Sequence, residues 1–174
     1  MRRARLCAIV AALAAAASSP VTANQAGPAG DPEYFVEGLR CLDGRHSMRL
    51  PKTLPALVKL APVLKVEDLG TERWEGYTTT RRRFFFAGLT VGLVAYSNDA
   101  NRYSLERVEI RGGQWARIAP FAVGEAIDSV RGKLGQIADD DVDLRSIYQG
   151  ENESVRFKTK AGAVSAVIYQ CYTG

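Results

Sequence analysis

The sequence predicts an α+β protein: an antiparallel sheet with short helices on one face, built as two αβββ units fused into one domain. Three observations carry this. First, residues 84–110 read FFFAGLTVGLVAYSNDANRYSLERVEI, in which Leu89, Val91, Leu93 and Ala95 alternate with Thr90, Gly92, Val94 and Tyr96. A period of two marks a half-buried strand. Second, helix signals stand ahead of each group of strands, at 53–62 and 124–135. Third, the order helix, strand, strand, strand occurs twice, in sub-units of about 53–111 and 118–172, without residue identity between them. Elements in that order bury their apolar sides by stacking helices on one side of an antiparallel sheet. The other side of the sheet is then expected to be open.

The chain opens with Arg2, Arg3 and Arg5 and runs into an Ala-rich apolar segment, followed by small residues around Val21-Thr22-Ala23. This is the pattern of a secretory signal peptide over 1–23, with cleavage expected after Ala23 and a periplasmic, exported product. The apolar run is too short for a transmembrane span. Losing three arginines from 23 basic residues leaves 20 against 19 acidic ones, a net charge of +1, so the basic balance of the whole chain carries no nucleic-acid footprint. Of three cysteines, Cys7 falls in the signal, leaving Cys41 and Cys171. An even pair in an exported chain is expected to form a disulfide.

Residues 24–33 are small, polar and rich in Pro and Gly, and are expected to form a flexible leader to a single domain over 34–174. Tyr34 to Leu42 reads as a short strand or a helical turn. In the helix signal at 53–62, Thr53 can cap, Pro55 falls in the first turn and Pro62 stops the helix. Leu54, Leu57, Val58 and Ala61 share its apolar face. Residues 64–69 read as a connector, and a strand is expected from Trp74 to Phe86. Asn98 to Asn101 supply turn chemistry, Tyr103 to Ile110 return, and Gly112-Gly113 break the chain. Gly124 to Gly135 read as an amphipathic helix with Ile127, Val130 and Leu134 on its apolar stripe; Gly132 within it implies close packing or a weak final turn. Three strands are then expected, at 144–148, 154–159 and 163–172. The last is apolar on both alternations, as a central strand is.

Gly124, Val130, Leu134 and Gly135, approached through Ile118, Phe121 and Val123, form the pattern G-x5-V-x3-[LV]-G. This resembles the helix that opens each repeat in β-lactamase-inhibitor-protein-like folds. It also resembles the helix of small outer-membrane-assembly lipoproteins of the SmpA/OmlA type. The resemblance covers 118–172. It implies a small antiparallel sheet after the helix and, for inhibitor-type members, an open sheet face that grips an enzyme. It transfers no individual contact residue.

The residue types exclude some chemistry. One histidine, His46, cannot build a histidine metal cluster, and beside Cys41 it reads as an exposed loop residue rather than half of a nucleophilic pair. Asp139, Asp140, Asp141 and Asp143 could attract a hard cation, but the run lacks the glycine and terminal Glu of a calcium loop and reads as a solvated loop. No catalytic, metal or cofactor residue is assigned. A hydrolase that uses carboxylates alone leaves no motif to find.

Arg81-Arg82-Arg83 before Phe84-Phe85-Phe86 is the most unusual local composition. Arg81 and Arg83 share a strand face with Tyr77 and Thr79. They serve either a cationic, aromatic-edged docking patch or a charged outward face that discourages edge pairing. Tyr96, Tyr103 and Tyr172 are either open-face aromatics or core caps with wet hydroxyls. Trp74 and Trp115 read as half-buried packing residues. The expected partner-binding set is Tyr77, Arg81, Arg83, Tyr96 and Tyr103. The expected function is non-enzymatic binding of a protein partner in the cell envelope, with an accessory of envelope or outer-membrane assembly as the alternative.

Overall fold

The computed structural model describes residues 33–135, 147–150 and 152–171. The expected signal peptide, nearly all of the leader, the acidic run 139–143 and Tyr172 lie outside the described residues. The elements in chain order are β1 (Glu33–Phe35), α1 (Leu54–Leu57), β2 (Lys65–Trp74), β3 (Tyr77–Phe86), β4 (Leu89–Tyr96), β5 (Asp99–Ile110), a 3-10 turn (Gly113–Trp115), α2 (Ile127–Leu134), β6 (Ile147–Gln149), β7 (Ser154–Lys160) and β8 (Ala163–Gln170). Together they make an α+β protein. The strands form one eight-stranded sheet in the order β1-β6-β7-β8-β5-β4-β3-β2. All pairings are antiparallel except β1 with β6.

One meander, β2–β5, runs in from an edge, and the other, β6–β8, from beside the edge strand β1; they meet in the middle, where β5 and β8 pair over Arg107–Ile110 and Val167–Gln170. The first meander has four strands, not three, because the expected connector at 64–69 enters β2. The chain reverses at Glu75-Gly76, so β3 starts at Tyr77 rather than Trp74. The apolar alternation of 89–95 holds: Leu89, Val91 and Leu93 are at most 1% exposed. β8, apolar on both alternations, is central, between β7 and β5.

The core lies on one side of this sheet. Phe84, Phe86, Leu89, Val91, Leu93, Val108, Ile110, Val155, Val167 and Tyr169 project from it into the same cluster as Leu57, Val130 and Leu134 of the two helices. Val94, Ala166 and Ile168 are also buried but stand outside that cluster, on the opposite face.

The helices are shorter than the signals suggest. α1 spans only Leu54–Leu57, and Thr53 makes no side-chain cap. Its expected apolar face nevertheless packs as read, with Leu57 fully buried and Leu54, Val58 and Ala61 against the core. α2 begins at Ile127, because Gly124 takes φ +90°, which a helix cannot contain. Glu125 sits just before it. Its carboxylate accepts hydrogen bonds from Ala122 N–H (3.0 Å) and Ser129 Oγ (2.5 Å), and pairs with Lys133 (2.6 Å). Burial alone would raise the Glu125 pKa; the bonds from Lys133, Ser129 and Ala122 bring it below the ordinary carboxylate value. Gly132 is exposed, and a Cβ there would meet nothing within 4 Å, so close packing is not its reason.

Residues 36–50 have little regular structure and cover the core face beside α1. Cys41 and Cys171 form the expected disulfide across 130 residues, with Cα atoms 5.8 Å apart. It fastens this segment to the chain just beyond β8. His46, Met48 and Leu50 point inward, alternating with Arg45, Ser47 and Arg49. His46 is therefore not an exposed loop residue: it is 6% exposed, and its ring stacks on Phe121 at 5.9 Å. Burial, and then the charge of Arg45, lowers its pKa. The Tyr169 hydroxyl, buried beneath, donates to His46 O at 2.9 Å.

Candidate partner-binding face

The sheet face opposite the helices presents Tyr77, Thr79, Arg81 and Arg83 from β3. Register puts them beside Trp74, Glu72, Gly70 and Glu67 of β2, and beside Tyr96, Val94 and Gly92 of β4. Because β2–β4 are joined by tight turns, residues far apart in the alternation are brought into one row. Trp74 and Tyr77 stack at 6.3 Å and 10°, and Tyr77 meets Tyr96 at 6.2 Å. The Arg102 guanidinium lies over the Tyr96 ring, 4.3 Å from its centroid. At that distance a cation is attracted to the negative face of the ring.

This row walls a groove of about 320 Å³ whose lining includes Glu72, Trp74, Tyr77, Arg81 and Tyr96. Thr79 and Val94, 9% and 8% exposed, lie beneath. The walls are held in place. Trp74 Nε1 donates to Thr79 Oγ1 at 3.1 Å, and Tyr96 and Ser104 share a hydroxyl hydrogen bond of 2.9 Å. Trp74, 53% exposed, is half-buried as expected, but it packs against Tyr77 on this face rather than in the core. Trp115 is buried more deeply than expected: it is 8% exposed and donates Nε1–H to Ala87 O at 2.7 Å.

Of the five residues expected to bind a partner, four share this face. Tyr77 and Tyr96 flank the groove. Arg81 joins its wall but is paired with Glu106 at 2.7 Å, and Arg83 reaches Glu67 at 3.5 Å. Lys65 also bonds Glu67, at 2.6 Å, which holds that carboxyl below its ordinary pKa. The arginines therefore tie neighbouring strands together as well as lining the face. Arg82, on the other side, bonds Asp68 at 2.9 Å.

Tyr103 is the correction. A bulge in β5 sets Gly92 opposite Arg107 but Leu93 opposite Leu105. One extra residue inverts the sides of everything before it in the strand. Tyr103 therefore turns to the covered face, packs against the core and donates its hydroxyl to Pro51 O. Burial raises its pKa. Sequence reasoning missed Trp74 and Arg102. No sequence signal marked Trp74, because its place opposite Tyr77 is set by strand register.

Among the described residues, no group of three or more His, Cys, Asp and Glu side chains could hold a metal ion. No helix among them is long and apolar enough to cross a membrane. No protein-family model, curated protein or solved structure matches the chain.

Proposed function

We propose that the chain is a non-enzymatic binding protein of the cell envelope that holds a protein partner on the open face of its sheet, in the manner of an inhibitor. The observation that carries this reading is the groove bounded by Trp74, Tyr77, Tyr96 and Arg81, with Trp74 half in solvent. Trp, Tyr and Arg are the residues that dominate binding energy at protein interfaces. Here they are preorganised by stacking and hydrogen bonds, which lowers the ordering cost of association. The export pattern and the Cys41–Cys171 bond suit an oxidising envelope compartment. The reading rests on this geometry; the comparisons lend no support to the family resemblance of 118–172.

The test is capture from envelope extract with the disulfide-intact chain as bait, followed by affinity measurement on the recovered protein. A stoichiometric partner is expected, and Trp74→Ala should weaken it about 30-fold, the size of a 2 kcal/mol hot spot. A partner held equally well by Trp74→Ala and Tyr96→Ala overturns the assignment of the face. Recovery only with outer-membrane complexes would favour an assembly accessory over an inhibitor.

A further inference from the structure

On the covered side, away from the groove, segment 45–49 and segment 116–120 face each other across a pocket of about 350 Å³. We propose that Arg45, Arg49 and Arg117, which line this pocket, form a binding site for a phosphoryl group carrying two negative charges. Among the described residues no acidic side chain lines the pocket, and none of the three arginines is ion-paired. This sets them apart in a molecule where Arg81, Arg82, Arg83, Arg107, Arg111 and Arg131 all have a carboxylate within 4 Å. Glu125 is taken by Lys133, whose ammonium also donates to the carbonyl of the pocket residue Pro120 at 2.8 Å.

The frame is rigid where it needs to be. Arg49 N–H donates to Ile118 O at 2.7 Å, joining the two walls. Arg45 N–H donates to Gly38 O at 3.1 Å, and Met48 N–H to Cys41 O at 2.8 Å, beside the disulfide. His46 and Phe121 stack beneath, one from each wall. Alternation then forces Arg45 and Arg49 outward on the same side. The Ser47 hydroxyl spends its proton on Gly44 O at 2.7 Å, so the arginines supply the donors. Planar guanidinium forks match phosphate oxygens bidentately, and three unneutralised charges favour a dianion over a single carboxylate.

The phosphoryl group could belong to a soluble ligand or to a lipid headgroup, and the experiment separates them. The probes are inorganic pyrophosphate, by calorimetry, and phosphatidylcholine vesicles carrying phosphatidic acid, by flotation. Saturable binding of either probe is expected, weakened about tenfold by Arg49→Gln or by Arg117→Gln, as loss of one charge-assisted bond requires. Arg73→Gln, which removes an exposed charge from β2, should leave it unchanged. A second readout is His46, the single histidine. A dianion beside Arg45 offsets the charge that depresses it, so its NMR titration should move to higher pH when pyrophosphate is added. Pyrophosphate binding without flotation assigns a soluble ligand; Arg-dependent flotation assigns a headgroup. Binding to neither probe, or binding that Arg49→Gln and Arg117→Gln leave intact or that Arg73→Gln weakens equally, overturns the proposal.

Discussion

Breaking the Cys41–Cys171 bond should cost more than any other single change in this protein. The bond closes a loop of 130 residues, which takes in every element from α1 to β8. In the chain-entropy model, a cross-link of that span removes about 5 kcal/mol of unfolded-state entropy at 25 °C. Whole domains of this size are stable by roughly 5–15 kcal/mol, so a third or more is at stake. Reduction isolates the effect, because the two buried thiols still fill the space the disulfide filled. Urea unfolding of oxidised and reduced protein, followed by tryptophan fluorescence, gives the difference directly. Loss should also have a local face. Residues 36–50 have few backbone ladder bonds, and they keep Leu39, Met48 and Leu50 buried against the core. Amide exchange in that segment should accelerate before the sheet opens. A reduced protein within about 1 kcal/mol of the oxidised one would refute the argument that unfolded-state closure sets the magnitude.

Two further outcomes follow from single residues. Gly132→Ala in α2 adds a methyl to open space at an exposed helical site. It should raise stability by about 0.8–1 kcal/mol, read as a higher urea midpoint. His46 has a depressed pKa in the fold, so the unfolded chain binds its proton more readily. Its contribution is intact above the ordinary imidazole value near 6.5 and is lost as pH falls through the lower folded value. Thermal midpoints measured from pH 8 down to about 5 should fall below 6.5, and His46→Gln should flatten that fall.

How much of this was legible in the sequence depends on which side of an element met solvent. β3, β4 and β8 announce themselves because their alternation or their double apolar character reflects burial that the fold then provides. β2 does not. KVEDLGTERW is an edge strand with nine of ten residues exposed, so no hydrophobic period exists to be read. The same physics hid Trp74, since a large aromatic defaults to the interior unless register is known. Tyr103 was lost to a single bulged residue, which no propensity marks. His46 was legible and overlooked: His46, Met48 and Leu50 alternate with Arg45, Ser47 and Arg49, a two-residue period outside any strand. The disulfide was legible by way of the expected signal peptide: setting Cys7 aside with it leaves Cys41 and Cys171, which can pair in one way only.

For the partner proposed above, the sheet face opposite the helices, rather than the β2 edge, is the better docking surface, and the two can be told apart. An exposed ten-residue edge invites another strand to pair with it. β2 is built against that. Its register shifts between Asp68 and Gly70, and Gly70 holds φ +133°, so the row of free backbone groups is broken near its middle. Lys65, Glu67, Asp68, Glu72 and Arg73 add charges along it. An added strand would have to match a kinked, mixed-charge template, whereas a partner on the face meets aromatic rings already stacked. Val66 provides the control. It is 47% exposed on β2, and its register opposite Phe84 turns it to the other side from Trp74. Val66→Lys should leave partner affinity within about twofold, while Trp74→Ala on the same strand costs roughly 30-fold. The opposite ranking would mean that the partner joins the edge of the sheet and that the groove is a by-product of strand packing.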